Sequence, residues 1–363
     1  RDRLRSRGLG DVYKRQVMID IINCNIDKLI LHKVGSKYES ENIQFSRSIL
    51  NIENPETRIS LLRYFTAPFK SNEYYNFFHS SELTMNEVYV YISKVFENPN
   101  SFYEQSINIT KHLYEQSSHP KIKGGEFYMA YMKNCILDNK EVDVIGLFKS
   151  ENKDTFLKVS SSKDGFNIES LQGININKLD KGCLIFNIEK ENGFVVSIVD
   201  NVNRGVEARY WIEDFLHIHP RQDEYYDTQN ILSIYKKFIK KEIPQQFELS
   251  KVDQADLINK SIKFFKEKSD FDINEFTHEV IGKKEIINSF NNFVADYKQE
   301  HELDISNNFS ISDSAVKKGT KALRSIIKLD NNFDIYIHGD SNLIEQGRDE
   351  KGKYYKVYYR EEL

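Results

Sequence analysis

Proline, cysteine and tryptophan are scarce in this 363-residue chain, with six, three and one copies. So little proline, beside only 16 glycines, leaves no material for long flexible linkers. Cys24, Cys135 and Cys183 are odd in number, far apart and never arranged as CxxC, which excludes a disulfide scaffold and a cysteine-based zinc site. Buried, reduced thiols in a cytoplasmic protein are expected of them. No apolar run approaches the ~20 residues of a membrane helix and no signal-peptide core is visible, so no membrane partner is expected. Catalytic fingerprints are missing too: GxGxxG after a strand, the P-loop lysine motif, HExxH and GxSxG are all absent.

Apolar residues, by contrast, are plentiful. They make up 39% of the chain, with 24 Phe and 21 Tyr, which excludes a disordered protein. The length exceeds the usual single domain and points to two. The most structured wording lies between Gly173 and Asn201. Residues 183–188 and 194–199 are apolar at nearly every position and flank the polar turn Lys190-Glu191-Asn192-Gly193, where Asn-Gly signals a hairpin. Strands apolar on both parities belong in the middle of a sheet covered on both faces.

Around that hairpin the chain is expected to be α+β, an antiparallel meander packed with helices, followed by a helical region and a small C-terminal antiparallel module. Residues 1–17 are set apart: RDRLRSRGLGDVYKRQ lacks periodicity and is worded like translated adaptor sequence, so a non-native leader is expected before a start at Met18. Those first sixteen residues carry +4, so a chain that is −4 in total is −8 beyond them. An N-terminal domain, 18–224, opens with a strand at 19–34. Helices follow from Pro55 (Ile59, Leu62 and Phe65 inward), across 83–99 and at 101–117, then strands near 125–137, 142–149, 155–160 and 166–171 before the hairpin. Glu207–Leu216 reads as helical. A C-terminal domain, 225–363, is helical to residue 300, with Ser250 and Asp253 forming a capping box, and β-rich over 301–363.

Few residues suggest chemistry. His217 and His219 would share one side of a strand, but no third ligand stands near them. Asp143 with Glu151-x-Lys153 has the residue types of a metal-dependent nuclease, in which acids hold Mg²⁺ and lysine steadies the phosphate. That motif falls on a turn, however, where such chemistry needs rigid strands. No catalytic residue, metal site or cofactor is expected. The aromatics Tyr64, Phe65, Phe69, Tyr74, Tyr75, Phe77 and Phe78 could stack on bases, although beside amphipathic helices they read as core.

Cations form patches. Lys236, Lys237, Lys240 and Lys241 lie on one helix and Lys260, Lys263, Lys266 and Lys268 on the next. Lys317, Lys318, Lys321, Arg324 and Lys328 precede and enter a late strand, and Lys353, Lys356 and Arg360 share the tyrosine-rich C-terminal strand. Each patch alone is also what a solvated face looks like.

Several segments are similar to the nucleoid-associated protein family NdpA/YejK, in its Bacteroidetes-like variant. They are YFTAPFKSNEYYNF (64–77), HLYEQSSHPKIKGGEFYMAY (112–131), DVIGLFKSENKDTFLKV (143–159), GININKLDKGCLIFNIEKENGF (173–194), EARYWIEDFL (207–216) and IIKLDNNFDIYIHGD (326–340). The resemblance implies a non-enzymatic, cytoplasmic, chromosome-associated protein that binds double-stranded DNA without sequence preference. It also implies a homodimer, with other nucleoid proteins as further partners. It transfers no DNA-contact residue, so Lys317, Lys318, Lys321, Arg324 and Lys328, aided by Lys353, Lys356 and Arg360, are expected contacts on charge clustering alone. A protein-interaction or regulatory module of DNA maintenance or phage defence is the second reading, and a metal-dependent nuclease the third.

Overall fold

The computed structural model describes residues 19–20, 24–137, 139–163, 165–202, 210–323, 326–330, 332–337, 343–359 and 361. The expected leader lies outside the described residues, as do Arg324, Arg360 and the first three positions of EARYWIEDFL. The chain divides into two compact units, Val17–Arg221 and Gln222–Leu363.

The first unit is built on an eight-stranded antiparallel sheet. Its strands are β1 (Ile19–Asp20), β2 (Asn25–Val34), β3 (Tyr75–Phe77), β4 (Gly125–Leu137), β5 (Lys140–Ser150), β8 (Lys181–Phe186), β9 (Val195–Asp200) and β10 (Ile218–Pro220). The order is β1-β4-β5-β8-β9-β3-β10, with β2 also paired to β4. β8 and β9 form the expected hairpin at the centre, in register from Lys181↔Asp200 to Phe186↔Val195. Alternate residues of this hairpin feed two different cores, because side chains on a strand point to opposite faces. Cys183, Ile185 and Val196 join α2 (Glu87–Glu97), α3 (Phe102–Gln116) and α4 (Tyr210–Leu216, wound in π-type turns) on one side. Leu184, Phe186 and Val195 meet Tyr64 and Phe65 of α1 (Pro55–Thr66) on the other. Each such fully buried apolar side chain contributes roughly 1.5–3 kcal/mol.

α1 starts where Asn54 accepts from the amides of Glu56 and Thr57, with Pro55 at its first position. Its inward face differs from expectation, since Ile59 is 67% exposed and only the last turn is buried. The aromatic run from Tyr64 to Phe77 is core apart from half-buried Tyr75, and Phe78 is exposed. The meander is also interrupted. β5 pairs directly with β8, and the intervening β6 (Asp154–Ser162) and β7 (Gly165–Gly173) pair only with each other. A third correction concerns the thiols. Cys24 and Cys135 form a disulfide across 111 residues, and Cys183 alone is a free, buried thiol. Pairing of Asn25 with Lys133 brings the two cysteines together, a proximity that separation along the chain conceals.

The second unit is mainly helical. Its helices are α5 (Glu224–Lys237, continued by π turns to Glu242), α6 (Ile243–Gln246), α7 (Lys251–Glu267), α8 (Ile273–Phe276, with π turns to Ile281), α9 (Lys284–Glu300) and α10 (Asp313–Ala322). Ile231, Tyr235, Phe264, Phe265, Phe276 and Phe290 fill the space between them. β11 (Asp270–Asp272) and β12 (Asn308–Ser310) form a short pair. The capping box is formed as expected: Ser250 Oγ accepts from the Asp253 amide and the Asp253 carboxylate accepts from the Ser250 amide.

Two further ribbons complete the unit, β13 (Ile326–Leu329) with β14 (Phe333–Tyr336) and β15 (Ile344–Asp349) with β16 (Gly352–Val357). Ile327, Ile337, Ile344 and Tyr355 pack on Val252 and Ala255 of α7. Among the described residues these ribbons therefore share their core with α7, which supplies Val252 and Ala255 beside Ile327 and Ile337.

Candidate nucleic-acid interface

Most of the cations singled out in the sequence lie in the second unit, and the structure treats them unequally. α5 and α10 run parallel. Gln229 donates to the Ala315 carbonyl at 2.8 Å, and one turn later Gly319 lies so close to Leu232 that a Cβ there would sit 2.7 Å from its Cδ1. The C-terminal turns of both helices, carrying Lys236 and Lys321, therefore share one end. The π turns beyond α5 present Lys240 and Lys241 to solvent there.

Lys251, the first residue of α7, adds its charge to theirs. Burial and the charges of Lys236 and Lys251 together hold the Lys240 ammonium below its usual pKa. Among the described residues, no carboxylate pairs with Lys236, Lys240 or Lys251 to relieve this crowding. On the β15–β16 ribbon, Arg348 stands directly opposite Lys353. Like charges in cross-strand register are destabilising unless something else neutralises them. Arg348 and Lys353 line a groove with Ser250, Val252 and Asp253. Two cationic groups thus converge on the first turn of α7, one from α5 and one from the ribbon. Among the acids there, Asp253 already caps the helix. Neither Lys251 nor Arg348 stood out in the sequence, because each is a single charge within mixed wording and is brought in by packing alone.

Other expected contacts are occupied. Lys237 donates to the Tyr297 hydroxyl and lies over that ring. Lys260 pairs with Asp256 at 2.7 Å, and Lys268 bridges Glu275 and Glu279 at 2.6 and 2.9 Å. Lys356 lies 3.9 Å from Glu345 and over Tyr358, and Lys328 faces Asp334 across its ribbon. Lys263, Lys266, Lys317 and Lys321 are exposed, as is Lys318, which sits over Tyr225.

The nuclease-like residues of the first unit are held apart. Asp143 accepts from Tyr131 at 2.6 Å near one end of β5, and Glu151 lies just past its other end. Eight residues of extended chain put roughly 26 Å between them. Glu151 is buried in an ion pair with Lys149 at 2.9 Å and also accepts from the Tyr210 hydroxyl. Lys149 stands opposite Lys181, which pairs with Asp200 at 2.7 Å, and both lysines lie over the Tyr210 ring. Burial pushes the Lys149 pKa down. With every member partnered and the side chains of Lys149, Lys181 and Glu151 sealed from solvent, this cluster ties β5, β8, β9 and α4 together and offers a phosphate no entry. His217 and His219 flank Ile218 of β10, their rings against His79 and Phe78. Among the described residues no group of three His, Cys, Asp or Glu could hold a metal ion, and no helix is long and apolar enough to cross a membrane.

No curated protein matches the chain. The family model described as nucleoid-associated protein YejK matches residues 30–351, a span that takes in most of both compact units. The chain belongs to that nucleoid-associated family.

Proposed function

We propose that this chain is a non-enzymatic nucleoid protein of the bacterial cytoplasm that binds the phosphate backbone of double-stranded DNA as a homodimer, without reading sequence. The observation that supports it most is the crowding of Lys236, Lys240 and Lys251, joined by the opposed Arg348 and Lys353, around one helix terminus of a protein that is acidic in total. Crowded ammonium groups raise one another's free energy, and a polyanion relieves it while releasing its own counterions. Lys321 and Lys241 extend the same cationic end, and Lys317 stands exposed one turn before Lys321 on α10. Family membership supplies the nucleoid context. Other nucleoid proteins remain candidate partners for the acidic remainder of the surface.

The test is a salt series of duplex binding by the full chain and by residues 18–363, since the cations of the first sixteen residues could add a signal of their own. Five contacts per protomer give a slope of log affinity on log salt of roughly −4 to −5, at about −0.9 per phosphate. K236E/K240E/K251E is expected to flatten that slope by about 3 and K317E/K318E/K321E by less. Unchanged affinity and slope in the first variant would remove this surface from the mechanism.

A further inference from the structure

The hairpin β6–β7 is nine residue pairs long, in register from Asp154↔Gly173 to Ser162↔Gly165, and among the described residues neither of its outer edges is joined by a third strand. Its two faces differ. One carries Phe156 and Leu171 near the base and then polar residues, including the opposed Lys158 and Glu169. The other carries Leu157, Val159, Phe166 and Ile168, exposed by 68, 62, 77 and 67%. Thr155, Ser161, Ser170 and Gln172 are its remaining residues, so this face bears no charge.

An isolated two-stranded ribbon is marginal in water, and an uncovered apolar face on open edges invites aggregation. We infer that this face is the dimer interface, covered by the same face of a second copy. Size supports it. The four side chains expose roughly 500 Å² per copy, so burying two such patches removes about 1,000 Å² before the flanking polar residues are added, which reaches the size of a specific interface.

Shape supports it as well. Across the ribbon Leu157 stands beside Ser170, Val159 beside Ile168 and Phe166 beside Ser161. A two-fold axis along the strands lays Leu157 on the partner's Ser170 and Phe166 on the partner's Ser161. An axis across the strands exchanges those two serines. Either way Leu157 and Phe166 each meet a serine, while Val159 and Ile168 form an apolar centre packed on the partner's Val159 and Ile168, a self-complementary arrangement. The absence of charge removes self-repulsion and equally disfavours DNA as the occupant. This supplies the surface for the dimer proposed above and is measured without DNA, so failure of duplex binding leaves it intact.

Sedimentation velocity of the full chain at micromolar concentration is expected to show a dimer. V159K/I168K is expected to sediment as a monomer, its dimer dissociation constant raised at least 100-fold, with an unchanged circular dichroism spectrum. Should that variant misfold, replacing residues 155–172 by a short Gly-Ser turn between the paired Asp154 and Gly173 decides the matter and is expected to give a folded monomer. A wild-type monomer, whether or not the hairpin captures some other protein, or a dimer that survives either change, would overturn the proposal.

Discussion

Glu151 occupies a position that a motif search would assign to catalysis, yet its carboxylate sits between a buried ammonium and a buried phenol. Removing one partner of a buried ion pair leaves the other charge uncompensated, at a typical cost of 3–5 kcal/mol. E151Q is therefore expected to lower the melting temperature by several degrees while leaving duplex affinity unchanged. Loss of affinity at unchanged stability would restore a functional role to Glu151. Residue types alone could not separate these outcomes, because burial decides whether a carboxylate meets solvent or lysine. The same holds for the cations. Lys237, Lys260, Lys268 and Lys356 looked equal to Lys236 and Lys240 in the sequence, and their neighbours make them different.

At the level of elements, the central hairpin shows how much a local signal carries. Asn192-Gly193 marks the turn, and Gly193 adopts φ of +90° with its carbonyl accepting from the Phe77 amide at 2.8 Å. A Cβ there would lie 2.2 Å from the Phe77 carbonyl oxygen. Gly193→Ala thus combines an unfavourable backbone region with a backbone collision that no rotamer relieves, and should destabilise the first unit by more than about 1 kcal/mol. Chemical denaturation checks it, and an unchanged midpoint would mean that β3 does not need this close approach. Capped helices were legible in the same local way: Asn54-Pro55 opens α1, and Ser250 with Asp253 opens α7. Ribbon β15–β16 was only half legible, since IEQGRD lacks the alternation of a strand and is held by its partner's register. β6 and β7 were readable as strands, but their departure from the sheet was not. Their apolar alternation is what an edge of the meander would also show.

At the scale of the whole molecule, one buried group in each unit leads to opposite expected responses to acid. In the first, the His32 ring is 1% exposed; its Nδ1 accepts from the Ser46 amide, and Nε2 bonds to Ser106, whose hydroxyl donates to the Tyr103 carbonyl. This chain of bonds requires the neutral ring, and burial lowers its pKa from 6.5 to about 4. The unfolded chain takes up the proton first, so stability present above pH 6.5 is lost as pH falls towards 4, about 2 kcal/mol of it by pH 5. In the second unit, burial raises half-buried Asp227 to about 6, with Asp223 and Asp304 adding to the rise. Its contribution is greatest in acid and declines as pH rises through 6, so that unit gains stability over the same interval. Calorimetry between pH 7 and 5 should show the first unit's transition moving down and the second's holding or moving up. A common direction for both would contradict these environments, and D227N should abolish the second trend.

What the sequence by itself determined is whatever depends on neighbours along the chain: the central hairpin, the capped helices, the α+β class and the acidic balance. Tertiary structure decided which lysines stand together, which acids are sealed inside, that Cys24 meets Cys135, and which ribbon face lies open. The physical reason is range. Turn geometry, capping and periodicity act over a few residues, whereas burial and charge crowding depend on atoms brought close from distant positions, as when Lys236 and Lys251 press on Lys240.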